Sequence, residues 1–298
     1  MSNQEIINTD TDTSTENLVS INNPDTKNTN PSLSSHTWIQ AYGKSDIGKV
    51  REANEDDYLC EFWKDGSEAL LVVVADGMGG HRGGKEAADI AIATFHELLD
   101  QPLPQEESAQ YELLTKYFYI ADERIRDEAC KSFKLMDMGT TIVAAIFTRD
   151  RYISLHAGDC RFYHIRNGKP ITISEDHSVV QILIELGKIK PEDVATHPMR
   201  SVVNSSLGGR NATGQFTISP QSDEDGKPPV FSYESGDIFL LCSDGLHGEV
   251  TLKKILEISQ NESPEIVTQD LLDTALENGG KDNITVVTIR GGESTLAD

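Results

Sequence analysis

No run in the 298-residue chain comes near the roughly 20 apolar residues that a membrane-spanning helix needs, and the first residues have neither the basic start nor the apolar stretch of a secretory signal. The sequence therefore predicts a cytoplasmic protein with no membrane contact. Cysteine is scarce: Cys60, Cys130, Cys160 and Cys242 stand far apart with no Cys-x-x-Cys pair, which argues against a disulfide framework and favours buried free thiols. Basic residues are scarce too, 26 Lys and Arg against 49 Asp and Glu, for a net charge of −23. Such a field repels nucleic-acid phosphates, so nucleic acid is not an expected partner, whereas basic protein surfaces are. Residues 1–35 lack apolar runs and are rich in Asn, Thr, Ser and Asp. A segment of that composition cannot bury enough surface to offset the entropy of ordering, and a disordered tail is expected.

The chain is 37% hydrophobic, enough for a substantial core, and 36–291 reads as one domain. Strand-like apolar runs lie at 38–42, 58–63, 69–75, 140–147, 152–156, 162–165, 230–233, 238–242 and 284–289. Between them, 84–99, 108–130, 179–186, 252–259 and 264–277 carry apolar residues at helical spacing. Helices placed between groups of strands suggest helical layers outside paired sheets.

Four stretches set acids beside glycine or a turn: Arg51-Glu52-Ala53-Asn54-Glu55-Asp56, Ala75-Asp76-Gly77-Met78, Ser243-Asp244-Gly245-Leu246 and Lys281-Asp282-Asn283-Ile284-Thr285. Singly, an Asp-Gly pair after a strand is a turn. As a set, Asp76, Asp244 and Asp282 flank apolar runs, and strand ends can bring distant carboxylates to one point. An oxygen-only set with no Cys or His spacing suits hard divalent ions, Mg²⁺ or Mn²⁺, over zinc.

In order and context these motifs, with Met138-Gly139-Thr140-Thr141, Gly158-Asp159-Cys160-Arg161 and Glu175-Asp176-His177-Ser178, resemble the metal-dependent protein serine/threonine phosphatases of the 2C type, bacterial members especially, from about His36 to Arg290. The resemblance implies an α+β fold, a four-layer α-β-β-α sandwich with two central, mostly antiparallel sheets and a flap over about 176–214. It implies hydrolysis of phosphoserine and phosphothreonine in proteins, partners that are phosphorylated proteins and a cognate Ser/Thr kinase system, and a monomer. The alternative is a catalytically weak binding or regulatory module on the same fold. The resemblance further implies two Mn²⁺ or Mg²⁺ ions, with Asp76 as bridge, the Gly77 carbonyl on the second, Asp244 and Asp282 on the first, and Glu55 and Asp56 holding the second directly or through water. Arg51 would bind the substrate phosphate, and Asp159 with Asp244 would hold a third, weaker ion. Two positions depart from relatives. Gly248, preceded by His247, stands where many carry another Asp, and Met78 stands where animal members carry a His, so the general acid is open, with His81 a candidate by proximity alone. His177 and His197 are expected to be structural or substrate-edge residues of the flap.

Overall fold

The computed structural model describes residues 32–79, 83–209 and 216–292. Along the chain come β1 (Ser32–His36), β2 (Ile39–Asp46), β3 (Asp56–Phe62), β4 (Leu70–Met78), α1 (Gly83–Leu98), α2 (Glu107–Ala129), β5 (Gly139–Phe147), β6 (Arg151–Ala157), β7 (Arg161–Arg166), β8 (Lys169–Ile173), α3 (Val179–Glu185), β9 (Leu207–Gly208), β10 (Val230–Ser232), β11 (Ile238–Cys242), α4 (Asp244–His247), α5 (Leu252–Ile258), α6 (Pro264–Glu277) and β12 (Ile284–Gly291). One antiparallel sheet runs β1-β2-β12-β11-β7-β8, and the other runs β10-β6-β5-β4-β3 with β9 added on β5.

Side-chain alternation stacks these sheets into layers. In β4, Leu70, Val72 and Val74 face the other sheet, while Leu71, Val73 and Ala75 face the helices. β5 divides likewise, Val143, Ala145 and Phe147 inward and Ile142, Ala144 and Ile146 outward. A strand covered on both faces is apolar at every position, which is why these segments are continuous runs. α1 lays Ala87, Ala88, Ala91, Phe95 and Leu98 on one sheet, with Phe95 edge-on to Phe118 of α2 at 5.3 Å. Each large side chain buried this way stabilises the layer by roughly 1.5–3 kcal/mol. On the opposite side α6 packs Val267, Leu271, Leu272 and Ala275 under β11 and β12. Its start is fixed by Pro264 and by Ser263, whose hydroxyl accepts from the Ile266 N–H. The expected α-β-β-α sandwich is the fold.

Two expectations need correcting. β1 begins at Ser32, inside the segment read as a disordered tail; residues 1–31 of that segment lie outside the described residues. β1 is an edge strand whose register, Ser32 opposite Gly43 to His36 opposite Ile39, comes from backbone pairing, which needs no apolar period. Cys60, Cys160 and Cys242 are buried thiols, but Cys130, following α2, is exposed. Among the described residues no helix is long and apolar enough to cross a membrane.

The segment expected to be a flap leaves β8, forms α3 and a 3-10 turn at Pro191–Thr196, and returns through β9 onto β5, with Leu207 opposite Thr140. The Ser178 hydroxyl caps α3 by accepting from the Gln181 N–H. Residues 210–214 of the expected flap lie outside the described residues.

Candidate metal centre

All five aspartates singled out by sequence sit at one edge of the sandwich. Asp56 opens β3 directly opposite Asp76 near the end of β4, and Asp76 faces Thr141 of β5 on its other side. Asp159 follows β6, Asp244 follows β11, and Asp282 precedes β12. The wider loop is tied down by Asn283. Its Oδ1 accepts from the Glu55 N–H at 2.9 Å, and its Nδ2 donates to the carbonyls of Ile47 and Ala53, both at 2.9 Å. Gly77 must lack a side chain, since a Cβ there would fall 2.2 Å from the Gly84 carbonyl oxygen at the start of α1. That close approach sets Glu55, Gly77 and the first turn of α1 side by side.

Asp56 is buried, and its Oδ2 accepts from the hydroxyls of Ser243 and Thr285, each at 2.7 Å. Among the described residues its Oδ1 has no hydrogen-bond partner. A buried carboxylate oxygen without a donor is costly unless a cation or water satisfies it. Burial, partly offset by those hydroxyls and reinforced by Asp244 and Asp282, pushes the Asp56 carboxyl up to about 7. Desolvation and then Asp56, Asp244, Asp159 and Asp282 hold Asp76 well above the carboxylate range. Burial with Asp244 and Asp176 raises Asp159 to about 8, and burial with Asp282 raises Asp244 to about 6 despite its hydrogen bond to Asp76. Glu55 is raised by desolvation against the pull of Arg51. These are carboxylates in want of positive charge.

Of the nearby cations, one is paired at the rim of this acidic edge and the other outside it. Arg51 donates Nη2–H to Asp282 Oδ2 at 2.7 Å rather than pairing with Glu52 or Glu55. Lys85, in the first turn of α1, bonds Asp89 at 2.7 Å and lies 3.7 Å from Asp57. Among the described residues, no three His, Cys, Asp or Glu side chains already close on one point as an ion cage. The hydrogen bonds give the reason: Asp282 is turned to Arg51, and Asp56 Oδ2 to its two hydroxyls. The donor set nevertheless fits hard divalent ions, because it is all oxygen, strongly anionic and holds one orphaned buried oxygen. His81 lies outside the described residues, and His197 ends the exposed 3-10 turn, where its Nδ1 accepts from the Met199 N–H.

Sequence reasoning did not find the supporting residues Ser243, Asn283 and Thr285. Each stood inside a motif already singled out, next to or near its acid, but the roles depend on pairings across more than 180 residues of chain, such as Ser243 to Asp56.

A family model described as protein phosphatase 2C matches residues 43–278. The serine/threonine protein phosphatase PstP of Mycobacterium tuberculosis is 33% identical over 246 residues, 82% of this chain. The chain spans only 43% of that relative's length. The serine/threonine phosphatase stp of Listeria innocua is 30% identical over 253 residues, covering 84% of this chain and 95% of the relative. Among solved structures, the catalytic domain of PstP in complex with two manganese ions superposes with a TM-score of 0.70 at 30% identity, over 86% of this chain and 99% of that one.

Proposed function

This chain belongs to the protein phosphatase 2C family, and from that membership we propose that it hydrolyses phosphoserine and phosphothreonine monoesters in proteins at a two-ion centre. The observation that carries the reading is the crowd of desolvated carboxylates, Asp56, Asp76, Asp159 and Asp244, with Asp282 and Arg51 at its rim. Bound there, Mn²⁺ or Mg²⁺ would supply an acidified water as nucleophile and positive charge on the phosphoryl oxygens. Asp76 is assigned as the bridge, the Gly77 carbonyl with Glu55 and Asp56 to one ion, Asp244 and Asp282 to the other, and Asp159 with Asp244 to a third, weaker one. Ser243 and Thr285 fix the rotamer of Asp56, and Asn283 holds the Glu55 loop, so the ligands are oriented before substrate arrives.

Arg51 is assigned to the substrate phosphate. Its guanidinium is half-exposed; desolvation opposes its charge most strongly, but the hydrogen bond to Asp282 together with the charges of Asp282, Glu55 and Asp76 raises its pKa and keeps it charged. A planar fork of donors matches two phosphoryl oxygens. Arg51→Ala should raise KM for a phosphothreonine peptide by about tenfold or more, the value of one charge-assisted hydrogen bond, while tight Mn²⁺ binding persists. If the metal stoichiometry drops instead, Arg51 serves the ions and not the phosphate.

Hydrolysis of a phosphothreonine peptide, a phosphotyrosine peptide and a nucleotide, each with and without Mn²⁺, tests the whole reading. Mn²⁺-dependent turnover confined to the first is expected, and no turnover on any would return the chain to a binding module. Residues 1–31 are proposed to add nothing to catalysis, so the same assay on the chain without them should give the same rate. Substrates supplied by a Ser/Thr kinase, a cytoplasmic setting and a monomer complete the proposal. A dimer mass by light scattering would remove the last.

A further inference from the structure

The turn carrying Asp159 is gripped from both sides by histidines that the reaction itself does not use. Gly158 has φ +110°, and a Cβ there would lie 2.3 Å from that of Thr141, so bare backbone packs against β5. With no side chain at Gly158 to hold the turn, its position depends on hydrogen bonds. His177 makes two of them. Its backbone N–H donates to the Gly158 carbonyl at 2.9 Å, and its ring Nδ1 accepts from the Gly158 N–H at 3.2 Å.

An accepting Nδ1 leaves the ring proton on Nε2, which donates to the Ser219 hydroxyl oxygen at 2.9 Å. The ring also stacks on His156, centroids 4.7 Å apart, and His156 Nε2 donates to the Glu175 carbonyl at 2.8 Å. The preceding residue, Asp176, holds the far side of the turn through a two-pronged pair with Arg161, both bonds at 2.7 Å. From the opposite direction, His247 Nε2 donates to the Asp159 carbonyl at 3.0 Å. His247 immediately precedes Gly248, which offers no carboxylate to the third ion.

We infer that His177 and His247 form a clamp on the Gly158–Asp159 turn and are positioning residues for the Asp159 carboxylate. The inference rests on the proposed reading that Asp159 helps hold a third ion. The clamp makes a chemical demand specific to each ring. His177 must present an acceptor at Nδ1, and His247 must present a donor at Nε2. Asn places its amide near where Nδ1 stands, and Gln places its amide near Nε2. His177→Asn and His247→Gln should therefore preserve the clamp, whereas His177→Gln and His247→Asn should break it.

Calorimetric Mn²⁺ titration is the test, with Asp159→Ala as reference. His177→Gln and His247→Asn should weaken the third ion by about 10–100-fold, the usual effect of losing a partner behind a metal ligand, while two tight ions still bind. His177→Asn and His247→Gln should stay within a few-fold of the parent. A nitrogen-15 spectrum of the unsubstituted, metal-free protein should show the His177 proton on Nε2. If Asp159→Ala loses the third ion but the Asn and Gln variants at each position behave alike, the clamp is wrong and the reading of Asp159 stands. A wild-type third site in Asp159→Ala removes both. A His177 proton on Nδ1 overturns the clamp even where a variant does not fold.

Discussion

Asp76→Asn should abolish Mn²⁺-dependent hydrolysis while leaving the metal-free protein at least as stable as its parent. Asp76 is the carboxyl on which Asp56, Asp244, Asp159 and Asp282 all bear, and it is desolvated besides. On the proposed assignment it serves two ions at once, so its loss should lower kcat/KM by at least about 10³-fold, roughly 4 kcal/mol of transition-state stabilisation. The same substitution removes a buried carboxyl whose ionisation is opposed by desolvation and by its acidic neighbours, so the metal-free fold no longer has to hold that group against its usual ionisation. Turnover and melting temperature in chelator should move in opposite senses. Near-normal turnover would remove Asp76 from the bridging position, and a sharp loss of metal-free stability would show that its hydrogen bond with Asp244 matters more to the fold than the repulsion does.

The metal-free protein should lose stability as pH rises from about 6.5 to 8.5. A carboxyl whose pKa is raised on folding keeps its proton after the unfolded chain, at about 4, has lost its own, so its contribution declines as pH climbs toward the folded value. Asp56 at about 7, Asp159 at about 8 and Asp76 well above its usual range all act in this way. Buried histidines act oppositely. Desolvation lowers His156 and His164, and lowers His177 and His247 to about 4, so each favours the folded state increasingly as pH rises from its folded value toward the unfolded value near 6.5, above which the slope ends. Below pH 6.5 the two groups offset each other; above it only the carboxylates slope, by on the order of 1 kcal/mol per pH unit. Saturating Mn²⁺ should reverse the slope, because ions bind the ionised carboxyls. Melting curves in chelator and in Mn²⁺ at four pH values decide this. A metal-free protein more stable at pH 8.5 than at 6.5 would contradict the desolvated-carboxylate picture.

Much of this was legible in the sequence because the deciding signals were local. A strand covered on both faces must be apolar throughout, so β4 and β5 announced themselves, and the helical spacing over 264–277 coincides with α6. β1 and β9 were not legible. Ser-Leu-Ser-Ser-His has no apolar period, and the two-residue β9 is held by β5 and by Asp122 of α2, whose carboxylate accepts from the Gly208 N–H at 2.7 Å. At the candidate site the acids could be picked out by type and by their places beside strands. The pairing of Arg51 with Asp282, 231 positions away, could not, because neither the residue types nor their neighbours encode it. Asn283 was hidden for the same reason: its partners at Ile47, Ala53 and Glu55 become neighbours only once β2, β3 and β12 are in register.

The edge carboxylates come from both sheets: Asp56 and Asp76 from one, Asp244 and Asp282 from beside strands of the other. On the proposed assignment, neither sheet alone carries the oxygens for both ions. Ion uptake by this chain therefore reports on the docking of the two halves across their shared layer of Val72, Val74, Val143, Phe239 and Val287, rather than on the formation of either half. A chain that had built both sheets but failed to close them would look native by its strand content and, on the proposed assignment, be silent toward divalent ions.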